Sequence, residues 1–128
     1  MPALSQPDSP LEELTGAVIG AAMTVSNTLG HGFLEAVYQK ALIYELRQQG
    51  ITVQSSAAFR VYYKGQDVGC YHANLVVERS VIVELKAVQK LAPAHVGQVV
   101  NYLKASSLSM GLLFNFGSPV LEWRRVLL

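Results

Sequence analysis

The stretch Val81-Ile82-Val83-Glu84-Leu85-Lys86-Ala87-Val88 fits few environments. It reads as a strand, and alternation puts Val81, Val83, Leu85 and Ala87 on one face and Ile82, Glu84, Lys86 and Val88 on the other. Two opposite charges then stand side by side in an otherwise Val- and Ile-rich strand. Such charges are costly there unless they are paired or bind something. Two readings fit: a solvent-facing ion pair on a half-exposed sheet, or the floor of a charged site.

The residues around this strand extend the pattern. If Glu78-Arg79-Ser80 is a three-residue hairpin loop, Val77 faces Val81, Asn74 faces Glu84 and His72 faces Lys86. Opposed side chains in an antiparallel pair approach to about 5 Å at Cβ. Asn74, Glu84 and Lys86 would cluster, with His72 beside them. A carboxylate, an amide oxygen and an ammonium so placed can hold a divalent cation with a water or a phosphate.

Elsewhere the periodicity is helical first and extended later. Leu11, Leu14, Val18, Ala21, Ala22, Val25 and Leu29 recur at helical spacing, with Asp8 or Ser9 as candidate cap and Pro10 in the first turn. Gly30-His31-Gly32 breaks that helix. A second runs from about Leu34 to Gln49, with Leu34, Val37, Ala41, Leu42, Tyr44 and Leu46 as expected buried positions. Ile51 to Val53 and Phe59 to Lys64 are extended, Gly65-Gln66-Asp67 is a turn, and Val68 to Val77 is a strand. Pro93 opens a helix over about 94–105. Met110 to Phe116 reads as a buried strand and Leu121 to Leu127 as an edge strand. The expected architecture is α/β: two N-terminal helices, a three-strand meander, a helix and two further strands in one mixed sheet. Residues 1–10 are expected to form a loose tail and 11–128 a single domain.

Composition narrows the function classes. The chain has 128 residues, 51% hydrophobic and only 15% charged, with a net charge of +1. This excludes a disordered or highly charged solvated chain and gives no broad field for nucleic acid. No Asp, Glu, Lys or Arg occurs from Leu14 to Leu34, and from Leu91 to Leu121 only Lys104 does. Both gaps carry too many polar residues, Gly or Pro for a membrane span, so none is expected. Apolar surface covered by a homo-oligomer or another protein partner is expected instead, centred on the first helix. The lone Cys70 permits no internal disulfide and is expected to be buried and inert. No secretory signal is apparent, so a cytoplasmic location is expected.

Taken in order, these stretches resemble a known family. Glu84 and Lys86 match the E-x-K half of the PD-(D/E)XK nuclease signature, and Gly32-Phe33-Leu34-Glu35-Ala36-Val37-Tyr38 matches the G-x-x-E-x-x-Y motif of the GxxExxY proteins within that superfamily. Val61-Tyr62-Tyr63-Lys64-Gly65, Pro93-Ala94-His95 with Gln98, Asn101-Tyr102-Leu103-Lys104 and Gly111 to Gly117 continue the resemblance, which covers about Leu11 to Val126. It implies a restriction-endonuclease-like core. It also implies Mg²⁺-dependent phosphodiester hydrolysis, in which an Asp and the Glu of E-x-K bind the metal and the Lys activates water. Carried over, Glu84 is a metal ligand, Lys86 the catalytic lysine and Glu35 a helical carboxylate. Tyr38, His72, His95, Gln98 and Tyr102 line the site.

The departures from that pattern bear on activity. Relatives usually read R-A-D-L where this chain has His72-Ala73-Asn74-Leu75, so a charged metal ligand becomes the weak ligand Asn74. Relatives usually carry Glu and His near Thr24 and Ser26, Pro at His31 and Glu at Gln89. Mg²⁺ relies on carboxylates and substrate phosphates, so losing one should weaken its binding by orders of magnitude. The expected function is that of a degenerate family member, a pseudoenzyme or weakly active subunit of an oligomer or larger assembly, with Mg²⁺ as cofactor only if active. The alternative is an active Mg²⁺-dependent nuclease using Glu84 and Lys86. Nucleic-acid binding without catalysis is the third reading.

Overall fold

The computed structural model describes residues 10–128. Residues 1–9, which include the candidate caps Asp8 and Ser9 and most of the expected tail, lie outside the described residues. The element order is α1 (Pro10–Leu29), α2 (Glu35–Gln48), β1 (Val53–Tyr63), β2 (Gln66–Val77), β3 (Val81–Lys86), α3 (Pro93–Ser106), β4 (Met110–Asn115) and β5 (Glu122–Leu127). The strands form one sheet in the order β1-β2-β3-β4-β5. Only β3 and β4 run parallel, joined through α3; every other neighbouring pair is antiparallel.

Helices cover both faces. α1 and α2 bury Val18, Ala22, Val25, Tyr38, Leu42 and Leu46 against Val81, Val83, Leu85, Leu112 and Phe114. α3 packs Val99, Tyr102 and Leu103 on the opposite face, against Ile82, Leu113 and Val126. Burial on both sides explains why β3 and β4 read as nearly continuous apolar runs. Fully burying a side chain of this size stabilises by about 1.5–3 kcal/mol, so the central strands are the main source of cohesion.

Two hairpins build the meander. Lys64 and Gly65, both at positive φ, form a two-residue turn between the paired Tyr63 and Gln66. That is the backbone twist of a type I′ hairpin, and it corrects the expected Gly65-Gln66-Asp67 turn. A register shift between Val61 and Tyr62 then leaves Val68 without a partner on β1. The second loop is Glu78-Arg79-Ser80 as expected, with Val77 opposite Val81. A single β1 replaces the two extended pieces expected from sequence. The break in alternation that hid it is Ser56, at φ +53°. No pair joins Ser56 to Asn74, although Ser55–Leu75 and Ala57–Ala73 pair on either side. Val53 packs toward α1 and α2, whereas Ala57 and Phe59, of the same parity, pack toward α3. The hairpin therefore turns over at Ser56 and Asn74, as a bulge does when it re-aims a strand.

The second helix also departs from expectation. Its buried stripe is Tyr38, Leu42 and Leu46. Leu34, Val37 and Tyr44, expected inside, are exposed. The helix carries two apolar stripes, and tertiary packing takes the one containing Tyr38. Cys70 is likewise exposed rather than buried. Among the described residues no helix is long and apolar enough to cross a membrane.

A tight approach closes the β3–α3 side. A Cβ on Gly117 would meet the Val88 carbonyl oxygen at 2.3 Å and its nitrogen at 2.4 Å. Both belong to backbone that cannot give cheaply. Gly117→Ala is expected to cost ~2–3 kcal/mol of stability, read as a lower midpoint in urea melts.

Candidate functional site

The ladder between β2 and β3 stops at Leu75–Val83. Beyond it, side chains take over. The Asn74 N–H donates to Glu84 Oε1 at 3.2 Å, and Asn74 Oδ1 accepts the Leu85 N–H at 2.9 Å. The Leu85 N–H can only donate, so it fixes the orientation of the amide. Asn74 Nδ2 then points the other way, donating to Gln39 Oε1 at 3.0 Å and to Glu35 Oε1 at 3.5 Å on α2. The turnover at Ser56 and Asn74 frees this side chain from the ladder and aims it into the split.

Glu84 lies at the centre, 3% exposed. Its Oε2 accepts the Tyr102 hydroxyl at 3.3 Å and faces Lys86 Nζ at 3.5 Å. Lys86 in turn donates to Gln98 Oε1 at 2.9 Å. Burial pushes the Glu84 carboxyl above its ordinary value of 4.5, against the opposing pull of the Asn74 N–H and Lys86; Glu35 adds a smaller upward push. Burial, followed by the neighbouring Glu84 charge, pushes the Tyr102 hydroxyl up to about 12. Tyr102 therefore remains a donor to Glu84 at all ordinary pH values.

The structure brings together Glu35, Asn74, Glu84, Lys86, Gln98 and Tyr102. It does not bring in His72, which is exposed and pairs with Ala58 on β1. Strand pairing ends before the expected His72–Lys86 apposition is reached. Tyr38 serves a different contact from the expected one. Its hydroxyl donates to the Gly30 carbonyl at 2.7 Å and accepts the Phe33 N–H at 3.1 Å, and its ring stacks on Phe116 at 4.7 Å. It fixes the α1–α2 turn, and so the start of the helix that carries Glu35. His95 Nδ1 accepts the Ala92 N–H at 2.9 Å at the start of α3 and makes no hydrogen bond to the charged cluster. Thr24 is exposed, its hydroxyl bonded to the Gly20 carbonyl of its own helix.

Sequence reasoning missed three contributors. Gln39 had no signal beyond lying one turn after Glu35. Tyr71 sets its ring edge-to-face against Tyr102 at 5.8 Å. Asn115, fully buried in an apolar strand, accepts the Val88 and Gly117 N–H groups and donates to Glu122. A lone Asn inside Met110–Phe116 was the available signal.

A sheet with helices on both faces, and a Glu-x-Lys pair on a central strand, defines a restriction-endonuclease-like α/β protein. The chain belongs to the PD-(D/E)XK nuclease superfamily: that family's sequence profile matches residues 12–126. The crystal structure of SSO0001 is similar, with a TM-score of 0.55 at 15% identity. The similarity covers 73% of this chain and 50% of that one, so this chain spans about half the length of SSO0001 and shares its fold. No curated protein matches the sequence.

PD-(D/E)XK nucleases generally use a divalent metal. The carboxylates bonded to Asn74 are Glu84 and Glu35. Among the described residues no group of three His, Cys, Asp or Glu side chains could hold an ion. Asn74 presents amide hydrogens, rather than a charged oxygen, toward Glu35. Its one oxygen is held by the Leu85 N–H.

The raised Glu84 pKa fixes the sign of a pH effect. The folded state binds this proton more tightly than the unfolded chain. The associated stability is full below the ordinary value of 4.5 and is lost as pH rises through the folded value. Glu84→Gln should flatten this leg of the stability–pH curve, measured by denaturant melts across the acid-to-neutral range. Tyr102→Phe removes a donor to the charged form. It should raise the Glu84 pKa further and cost ~1–2 kcal/mol at neutral pH.

Proposed function

We propose that this protein is a PD-(D/E)XK fold whose metal site has been degraded, and that it acts as a non-catalytic or weakly active subunit through association. The observation that carries this reading is the Asn74 amide. It satisfies Leu85, Gln39 and Glu35 at once and leaves the cluster complete without a cation. Glu84 is also satisfied, by Asn74, Tyr102 and Lys86. A centre of this kind offers Mg²⁺, an ion that dehydrates reluctantly, one buried carboxylate with both oxygens already engaged and Glu35 at its edge. An exposed free thiol at Cys70 suits a reducing compartment, which supports a cytoplasmic location.

A second reading is an active Mg²⁺-dependent nuclease using Glu84 and Lys86. Its support is the intact ion pair of those two residues on the buried strand, with Lys86 steadied by Gln98. Mg²⁺ and Mn²⁺ titration by calorimetry, together with DNA and RNA cleavage assays, separates the two. Wild type is expected to show no saturable binding and at most trace cleavage. Saturable metal binding with multiple-turnover, metal-dependent cleavage by wild type that disappears in Glu84→Ala would establish the second reading instead.

Asn74→Asp sharpens the test. It keeps an oxygen for Leu85 but turns the second oxygen toward Glu35. Without metal, this variant should lose ~1–3 kcal/mol of stability through like-charge crowding. Millimolar Mg²⁺ should restore much of that loss, visible as a metal-dependent melting temperature that wild type lacks.

A further inference from the structure

The exposed stripe of α2 has a spacing of its own. Leu34, Val37, Ala41 and Tyr44 recur at alternating steps of three and four, the a/d pattern of a two-helix seam. Leu34 is 80% exposed, Val37 39% and Tyr44 62%, and Phe33 beside them is 51% exposed. The stripe lies well around the helix from Tyr38, Leu42 and Leu46, which fill the core. On α1, Leu11, Leu14, Val18, Val25 and Leu29 pack inward and Met23 is 43% exposed. Lys40 and Glu45 flank the stripe on its two sides, at g and e positions. Neither forms an ion pair among the described residues.

We infer that α2 is a homodimer seam, pairing in parallel with α2 of a second copy of this chain. The charge pattern selects both partner and direction. In a parallel pair, Lys40 of each helix faces Glu45 of the other, giving two equivalent ion pairs across a two-fold axis. An antiparallel pair would set Lys40 against Lys40 and Glu45 against Glu45. Ala41 at the middle is half-buried and packs against the core, so the exposed contact is made by Leu34, Val37 and Tyr44. The seam is short, so the interface falls below the usual size for a stable complex and the dimer is a micromolar one. This assignment rests on the proposed function only for its biological sense, since it gives association a partner. The metal and cleavage assays above test the degraded site separately.

Sedimentation velocity on the full chain at roughly 100 μM, where a micromolar dimer is mostly associated, is the test. Wild type is expected to sediment as a dimer. Leu34→Asp should yield a monomer that stays folded, because Asp is a favoured residue at this N-cap position. Lys40→Glu and Glu45→Lys should each weaken association by about fivefold to tenfold, and the double reversal should restore it. A wild-type monomer overturns the inference, as does a dimer indifferent to Leu34→Asp. A double reversal no better than either single change overturns the parallel pairing.

Discussion

A carboxylate buried inside a sheet must be compensated by its neighbours, and at Glu84 the neighbours come from three elements. The Asn74 N–H on β2, the Tyr102 hydroxyl on α3 and Lys86 on β3 itself all converge on its two oxygens. An unpaired buried carboxylate would cost several kcal/mol, comparable with the whole stability of a small domain. The position of α3 over the sheet and the parting of β2 from β3 are therefore tied to one side chain. Compensation is incomplete, as the raised pKa of Glu84 shows. The fold tolerates the residual cost because the apolar burial around it on both sheet faces is large.

The same network distinguishes Asn from Asp at position 74. With Asn, Glu35, Glu84 and Lys86 leave one net negative charge, and amide hydrogens lie between the strands and α2. With Asp there would be two, and the hydrogens facing Glu35 and Gln39 would be gone. A cation would be the natural replacement. The Asn arrangement is thus a closed hydrogen-bond network, which favours a rigid centre over one that must reorganise around a metal and a reacting phosphate.

How far the sequence could be read depended on whether a local rule survived packing. Alternation along Val81–Val88 and the three-residue loop before it were enough to bring Asn74 to Glu84. The same rule failed at His72, because Ser56 takes a left-handed conformation and turns the hairpin over. Nothing in Ser55-Ser56-Ala57 announces that, since non-glycine residues adopt φ near +50° only at a cost of ~1–2 kcal/mol that tertiary contacts must offset. Helix α2 was ambiguous for another reason. Two apolar stripes share one helix, and periodicity cannot say which one meets the sheet. Gln39 acts through one hydrogen bond to Asn74, distant in sequence, and Asn115 through bonds to Val88, Gly117 and Glu122; no spacing rule reports either.

Helix α2 joins these observations. Its core stripe carries Tyr38, which fixes the turn from α1, and beside that stripe Glu35 and Gln39 reach the Asn74 amide. Its other stripe faces outward. A helix of 14 residues is marginal alone and takes its stability from packing. Anything that covers the outer stripe also restrains the end of the helix that holds Glu35. The outer stripe and the cluster therefore belong to one rigid body, because the same two turns of helix carry both.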